Sequence, residues 1–187
     1  MTRIIAGSAG GRRIQVPPGR GTRPTSDRAR EGIFSTLGSM AGLEGARVLD
    51  LYSGSGAIGL EAVSRGAVHA TLVESDPRAV RTIRANIQAL GFQARAELVA
   101  DRVERVVAKP CAEPYDIVFA DPPYALDDPG PVLEALRGNG WLAEGAVVAF
   151  ERESRGKDMV WPPGYVEDRV RRYGEAAVWY GRAAGYP

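Results

Sequence analysis

Asp50-Leu51-Tyr52-Ser53-Gly54-Ser55-Gly56-Ala57-Ile58-Gly59 decides how this chain folds. The segment ends an apolar run that begins at Arg47, turns through three glycines spaced G-x-G-x-x-G, and enters a helix-forming stretch expected over residues 56–65. A glycine turn between a strand and a helix lets the backbone approach a nucleotide-like ligand that a Cβ would hold away. The same strand–helix alternation continues downstream. Strands are expected at residues 47–51, 68–73, 94–99, 115–120 and 146–151. Helices are expected at 77–90, 102–108 and 130–137. Asp76 is placed to cap the second helix, with Pro77 at its first position and Gly91 at its end. This alternation implies a mostly parallel sheet covered on both faces.

The two ends depart from the pattern. Residues 165–173 and 176–180, parted by Gly174-Glu175, read as a β-hairpin that gives the sheet an antiparallel edge. At the start, residues 3–6 and 13–16 suggest a small hairpin about Gly10-Gly11, followed by a basic loop. A helix is expected over 27–40, with Ile33, Phe34, Leu37 and Met40 on one face. The chain therefore divides into an extension, 1–44, and a Rossmann-like domain, 45–187.

Composition sets the bounds. The 187 residues are 44% hydrophobic and 25% charged, as in an ordinary globular domain. No apolar run has the length of a membrane span or a signal peptide. One cysteine, Cys111, forms no internal disulfide, and one histidine, His69, builds no metal cluster, so a metal-free cytoplasmic protein is expected. Trp141, Trp161 and Trp179 read as packing residues. The net charge of +1 hides an asymmetry: residues 1–43 hold seven arginines against Asp27 and Glu31, a net of +5, and the remainder carries −4. A basic arm on an acidic body fits either a phosphate-gripping surface or a solvated tail. Arg169, Arg171, Arg172 and Arg182 near the C-terminal hairpin fit either phosphate contact or protection of an open sheet edge.

Acids at strand ends point to the ligand. Glu74, ending the second strand, can accept hydrogen bonds from ribose hydroxyls, a feature common to nicotinamide and S-adenosylmethionine sites. Asp50 discriminates between them, because it would repel a pyrophosphate and attract a cationic methionine moiety. Asp101 can accept from an adenine amino group while the Arg102 N–H faces a ring nitrogen. The expected cofactor residues are thus Asp50, Tyr52, Ser53, Gly54, Gly56, Glu74, Ser75, Asp101 and Arg102.

The fourth strand runs into Asp121-Pro122-Pro123-Tyr124. Two prolines stiffen this turn. The Asp121 side chain and the Pro122 carbonyl then form two converging acceptors, which fit the two hydrogens of an exocyclic amine. Pulling that nitrogen towards tetrahedral geometry localises its lone pair for attack on a sulfonium methyl. Tyr124 offers a face on which a base stacks.

The glycine loop and Asp121-Pro-Pro-Tyr together resemble the class I S-adenosylmethionine-dependent methyltransferases that act on exocyclic amines. The segment Arg23-Pro24-Thr25-Ser26-Asp27-Arg28-Ala29-Arg30-Glu31-Gly32-Ile33-Phe34 resembles the RsmD family, which methylates the guanine N2 amine in 16S ribosomal RNA. The resemblance runs from Arg3 to Tyr180. It implies a seven-stranded class I fold with an antiparallel C-terminal hairpin. It implies Thr25 and Arg23 near the cofactor and base, and an RNA surface including Arg12, Arg13, Arg23, Arg28 and Arg30. It further implies a monomer acting on free 16S RNA or on an assembling subunit. Three other functions are weighed against it. Adenine-amine methylation on DNA or RNA uses the same turn. NAD-dependent oxidation shares the glycine loop and Glu74 but not Asp50. A silent RNA-binding protein would not need the intact acids.

Overall fold

The structure, a computed structural model, describes residues 2–19, 26–123, 126 and 128–184. The element order is β1 (Thr2–Arg3), β2 (Arg13–Ile14), α1 (Asp27–Met40), β3 (Arg47–Leu51), α2 (Ala57–Ser64), β4 (His69–Glu74), α3 (Pro77–Leu90), β5 (Ala96–Ala100), α4 (Val103–Val107), β6 (Tyr115–Ala120), α5 (Gly130–Gly138), β7 (Leu142–Glu153), β8 (Tyr165–Tyr173) and β9 (Ala176–Ala183). Seven strands form one sheet in the order β5-β4-β3-β6-β7-β9-β8. β5, β4, β3, β6 and β7 are parallel, and the β8–β9 hairpin adds antiparallel to β7.

The sheet divides two cores. On one face α1, α2 and α3 pack Ile33, Phe34, Leu60, Ile83 and Ile87 onto Val48, Leu72 and Ile117. On the other, α4 and α5 pack Val103, Val107, Leu133 and Leu136 onto Leu49, Val118 and Val148. The N-terminal extension does not stand apart. Ile4, Ala9 and Ile14 are buried in the first of these cores. The sequence reverses direction between β3 and β6, the switch point at which such sheets bind ligands beyond their carboxyl ends.

Two elements differ from expectation for identifiable reasons. The N-terminal hairpin is shorter, because the Ile5 and Ala6 amides donate to the Glu61 carboxylate (2.8 and 3.1 Å) instead of a strand partner. β7 begins four residues early, at Leu142. The Glu144-Gly145 break is absorbed as an irregularity: Gly145 adopts φ 71, and the pairing register with β6 shifts between Tyr115 and Ile117.

Candidate active site

The loop after β3 is held from three sides. Asp50 is buried, and its Oδ2 accepts from Ser53 Oγ at 2.7 Å and from the Gly59 N–H at 3.0 Å. A Cβ on Gly59 would lie 2.8 Å from Leu72 Cγ and 3.2 Å from Asp50 Oδ2, so only glycine allows this close packing. Glu74 fastens the loop from β4. Its Oε1 accepts from the Gly54 N–H at 2.8 Å, and its Oε2 accepts from the Ser75 and Asp76 amides at 2.9 Å each. Tyr52 takes the strained left-handed conformation at φ 56, held by its hydroxyl donating to Glu104 Oε1 at 3.0 Å. Backbone strain of this kind costs about 1–3 kcal/mol and concentrates at ligand sites. Gly54, at φ 61, has open space where its Cβ would stand.

Asp50 therefore sets the shape of the loop through these two hydrogen bonds. Burial raises its pKa to about 7 against the lowering effect of its two hydrogen bonds, and the charges of Asp121 and Glu74 add to the rise. Asp101 sits after β5, half-buried, and accepts from the Arg102 N–H at 2.7 Å. The Arg102 side chain is exposed.

The turn after β6 lies beside this loop. The Asp121 N–H donates to the Leu51 carbonyl at 3.4 Å, tying the end of β6 to the end of β3. Asp121 and Pro122 are half-buried and Pro123 is exposed; the Pro123 carbonyl accepts from the Leu126 N–H. A further carboxyl stands beside Asp121: Glu151, in β7, follows Phe150, which pairs with Ala120 of β6. Its signal in the sequence is the one shared by Asp50, Glu74, Asp101 and Asp121, an apolar run followed by an acid. Carboxyl groups thus stand at the carboxyl ends of five adjacent parallel strands, an acidic rim that disfavours a pyrophosphate and favours a cationic ligand.

Arg30 is a correction. It was expected to face RNA but is fully buried. Its Nη2 donates to Asp27 Oδ1 at 2.7 Å and to Thr2 Oγ1 at 2.9 Å, and its Nη1 lies 3.6 Å from Glu61 Oε1. Arg30 precedes Ile33, Phe34 and Leu37 by three, four and seven residues, so helical spacing already places it on the inward face. Arg12, Arg13 and Arg28 are exposed, although Arg12 also donates to the Ala89 carbonyl at the end of α3. Thr25, Arg23 and Tyr124 lie outside the described residues. Asn86, unremarked in the sequence, joins the extension to the glycine loop. Its Nδ2 donates to the Gln15 and Ser55 carbonyls (2.9 Å each), and its Oδ1 accepts from the Gln15 N–H.

The strand order, the glycine loop and the acidic rim define a class I, Rossmann-like methyltransferase. A family model described as Conserved hypothetical protein 95 matches residues 2–182. The ribosomal RNA small subunit methyltransferase D of Escherichia coli is 38% identical over 151 residues, 81% of this chain and 74% of that protein. The putative rRNA methyltransferase YlbH of Bacillus subtilis is 37% identical over 153 residues, 81% and 82% of the two chains. The solved putative methyltransferase yhhF from Escherichia coli superposes with a TM-score of 0.87 at 32% identity, covering 98% of each chain. A Salinibacter ruber RNA methyltransferase solved with S-adenosyl-L-homocysteine shares the fold, with a TM-score of 0.63 at 19% identity over 88% of this chain and 96% of that one. The chain belongs to the small-subunit ribosomal RNA methyltransferase D family. Among the described residues, no helix is long and apolar enough to cross a membrane.

Proposed function

We propose that this protein transfers a methyl group from S-adenosylmethionine to the exocyclic N2 amine of a guanine in 16S ribosomal RNA. The observation that carries the reading is the Asp121-Pro122-Pro123 turn, tied to β3 beside the glycine loop. The cofactor fits the residues present: open space above Gly54, a Glu74 carboxylate held at the end of β4, and a rim of acids suited to a cationic methionine moiety. Glu74 would take the ribose hydroxyls, with Ser75 beside it. Asp101 and the Arg102 N–H would take the adenine, and Tyr52, Ser53, Gly54 and Gly56 would line the chain of the ligand. When bound, S-adenosylmethionine supplies an electrophilic methyl group.

The protein's own part is positioning. Asp121 and the Pro122 carbonyl accept the two amine hydrogens and turn the nitrogen lone pair towards the methyl carbon. A rigid turn needs little reorganisation as charge develops. Tyr124 would stack on the base, which must leave any helical stack to reach the turn. Arg12, Arg13, Arg23 and Arg28 would hold RNA phosphates, with Thr25 near the cofactor. The names of the relatives support ribosomal RNA as substrate. The protein would act as a monomer, on free RNA or on an assembling subunit.

The test is mass-spectrometric mapping of 16S RNA from cells lacking the protein. One N2-methylguanosine should disappear, return with the wild-type chain and stay absent with Asp121→Ala. An unchanged methylation map would refute the reading.

A further inference from the structure

Glu151 lies on β7 where Asp121 follows β6. The two strands run parallel with Ala120 opposite Phe150, so the next residue on each, Asp121 and Glu151, stand side by side. Each carboxyl acts on the ionisation of the other. A hydrogen bond between two carboxyls needs a proton on one of them. Both residues are half-buried. Asp50 faces Asp121 from β3 with Glu74 behind it, so the charges on that side are all negative. On the other side β9 places Val178 opposite Glu151. Further out, Tyr173 and Arg171 of β8 act on Tyr180 of β9.

We propose that Glu151 is a positioning residue for methyl transfer: as the protonated member of the pair it donates a hydrogen bond to Asp121 and aims the Asp121 carboxylate at the base amine. The inference rests on the reading given under Proposed function. In the transfer, the nitrogen–carbon bond forms as the sulfur–carbon bond breaks, the electron pair stays on sulfur, and the nitrogen gives one proton to the Asp121 carboxylate, which releases it to water. Two ionised carboxylates side by side repel one another, so the pair holds one proton across the neutral range. Burial, and then the neighbouring Asp121 carboxyl, push Glu151 up to about 9. Burial also raises Asp121, while the bond from Glu151 holds it down. The sign follows: the single proton is present below about pH 9, is lost as pH rises through that value, and the aim of Asp121 goes with it.

Glu151→Ala should lower kcat on the order of 10²-fold with little change in cofactor affinity. Glu151→Gln keeps a side-chain donor, so it should recover part of that loss, and its remaining turnover should no longer fall through the pH at which Glu151 ionises. Both proteins meet the same RNA, so a base titrating in that range affects them equally. The deciding measurement needs no RNA. In the full chain with 13C-carboxyl glutamate, one glutamate should titrate near pH 9 and be missing from Glu151→Gln. Finding every glutamate titrating below pH 7, or the same alkaline fall in both enzymes, would overturn the proposal. A wild-type protein that shows the high-pH glutamate yet methylates no RNA would overturn the substrate reading instead.

Discussion

Arg30→Met separates a buried structural arginine from an RNA contact. The substitution keeps an unbranched stem and removes the guanidinium. It deletes part-buried hydrogen bonds to Asp27 and Thr2 and the approach to Glu61, the one of the three with both side chains fully buried. Removing one partner of a buried ion pair costs about 3–5 kcal/mol. Here the lower end applies, for two reasons. Glu61 keeps Arg65 Nε at 2.9 Å and the Ile5 and Ala6 amides, so its charge is not abandoned. Arg30 Nε and Nη1 also lack hydrogen-bond partners, so their removal relieves a desolvation cost. A loss of about 3 kcal/mol corresponds to a fall in melting temperature of roughly 6–12 °C for a chain of this size. Arg28→Ala, on the exposed face of the same helix, should stay within about 0.5 kcal/mol of wild type. Thermal melts and urea titrations of both variants give the comparison. If Arg30→Met melted with the wild type and instead weakened RNA binding, the buried placement of Arg30 would be wrong.

Three further outcomes are expected. Asp121→Ala should lower turnover by about 10²–10³-fold, the worth of one preorganised polar contact, while calorimetry finds cofactor affinity nearly unchanged. Glu74→Ala should weaken cofactor binding by about 1.5–3 kcal/mol. It should also lower the melting temperature of the free protein, because three backbone amides lose their acceptor; an unaltered melt would show that Glu74 does not hold the loop. Replacing Arg12 and Arg13 together by alanine should make the slope of log RNA affinity against log salt shallower by about one unit or slightly more. A slope that stayed steep would move the RNA to the arginines of the C-terminal hairpin.

The fold was legible because its signals are local. Apolar runs ending in acids, Asp76 before Pro77, and Gly174-Glu175 between two β-rich segments each act within a few residues, and the strands and helices formed where these cues lie. The candidate site was legible to the same degree: Asp50 and Glu74 lie in the last residues of their strands, Asp101 and Asp121 directly follow theirs, and parallel strands bring their carboxyl ends together. What stayed hidden depends on partners distant in sequence. Glu61 draws the Ile5 and Ala6 amides away from strand pairing across more than fifty residues. Asn86 bridges Gln15 and Ser55 only once α3 lies over both. Glu151 shares the local signal of an acid after an apolar run, but its place beside Asp121 comes only from the register that sets β7 against β6. Arg30 is different: its spacing to Ile33, Phe34 and Leu37 already marks the inward face of α1, whatever its charge.

The most direct test of the account is to incubate the protein with methyl-labelled S-adenosylmethionine and small-subunit RNA, digest the RNA to nucleosides, and identify the labelled one. The account predicts label in N2-methylguanosine alone, and none when Asp121→Ala replaces the wild type under the same conditions. Label in N6-methyladenosine, or undiminished N2-methylguanosine with Asp121→Ala, would contradict it.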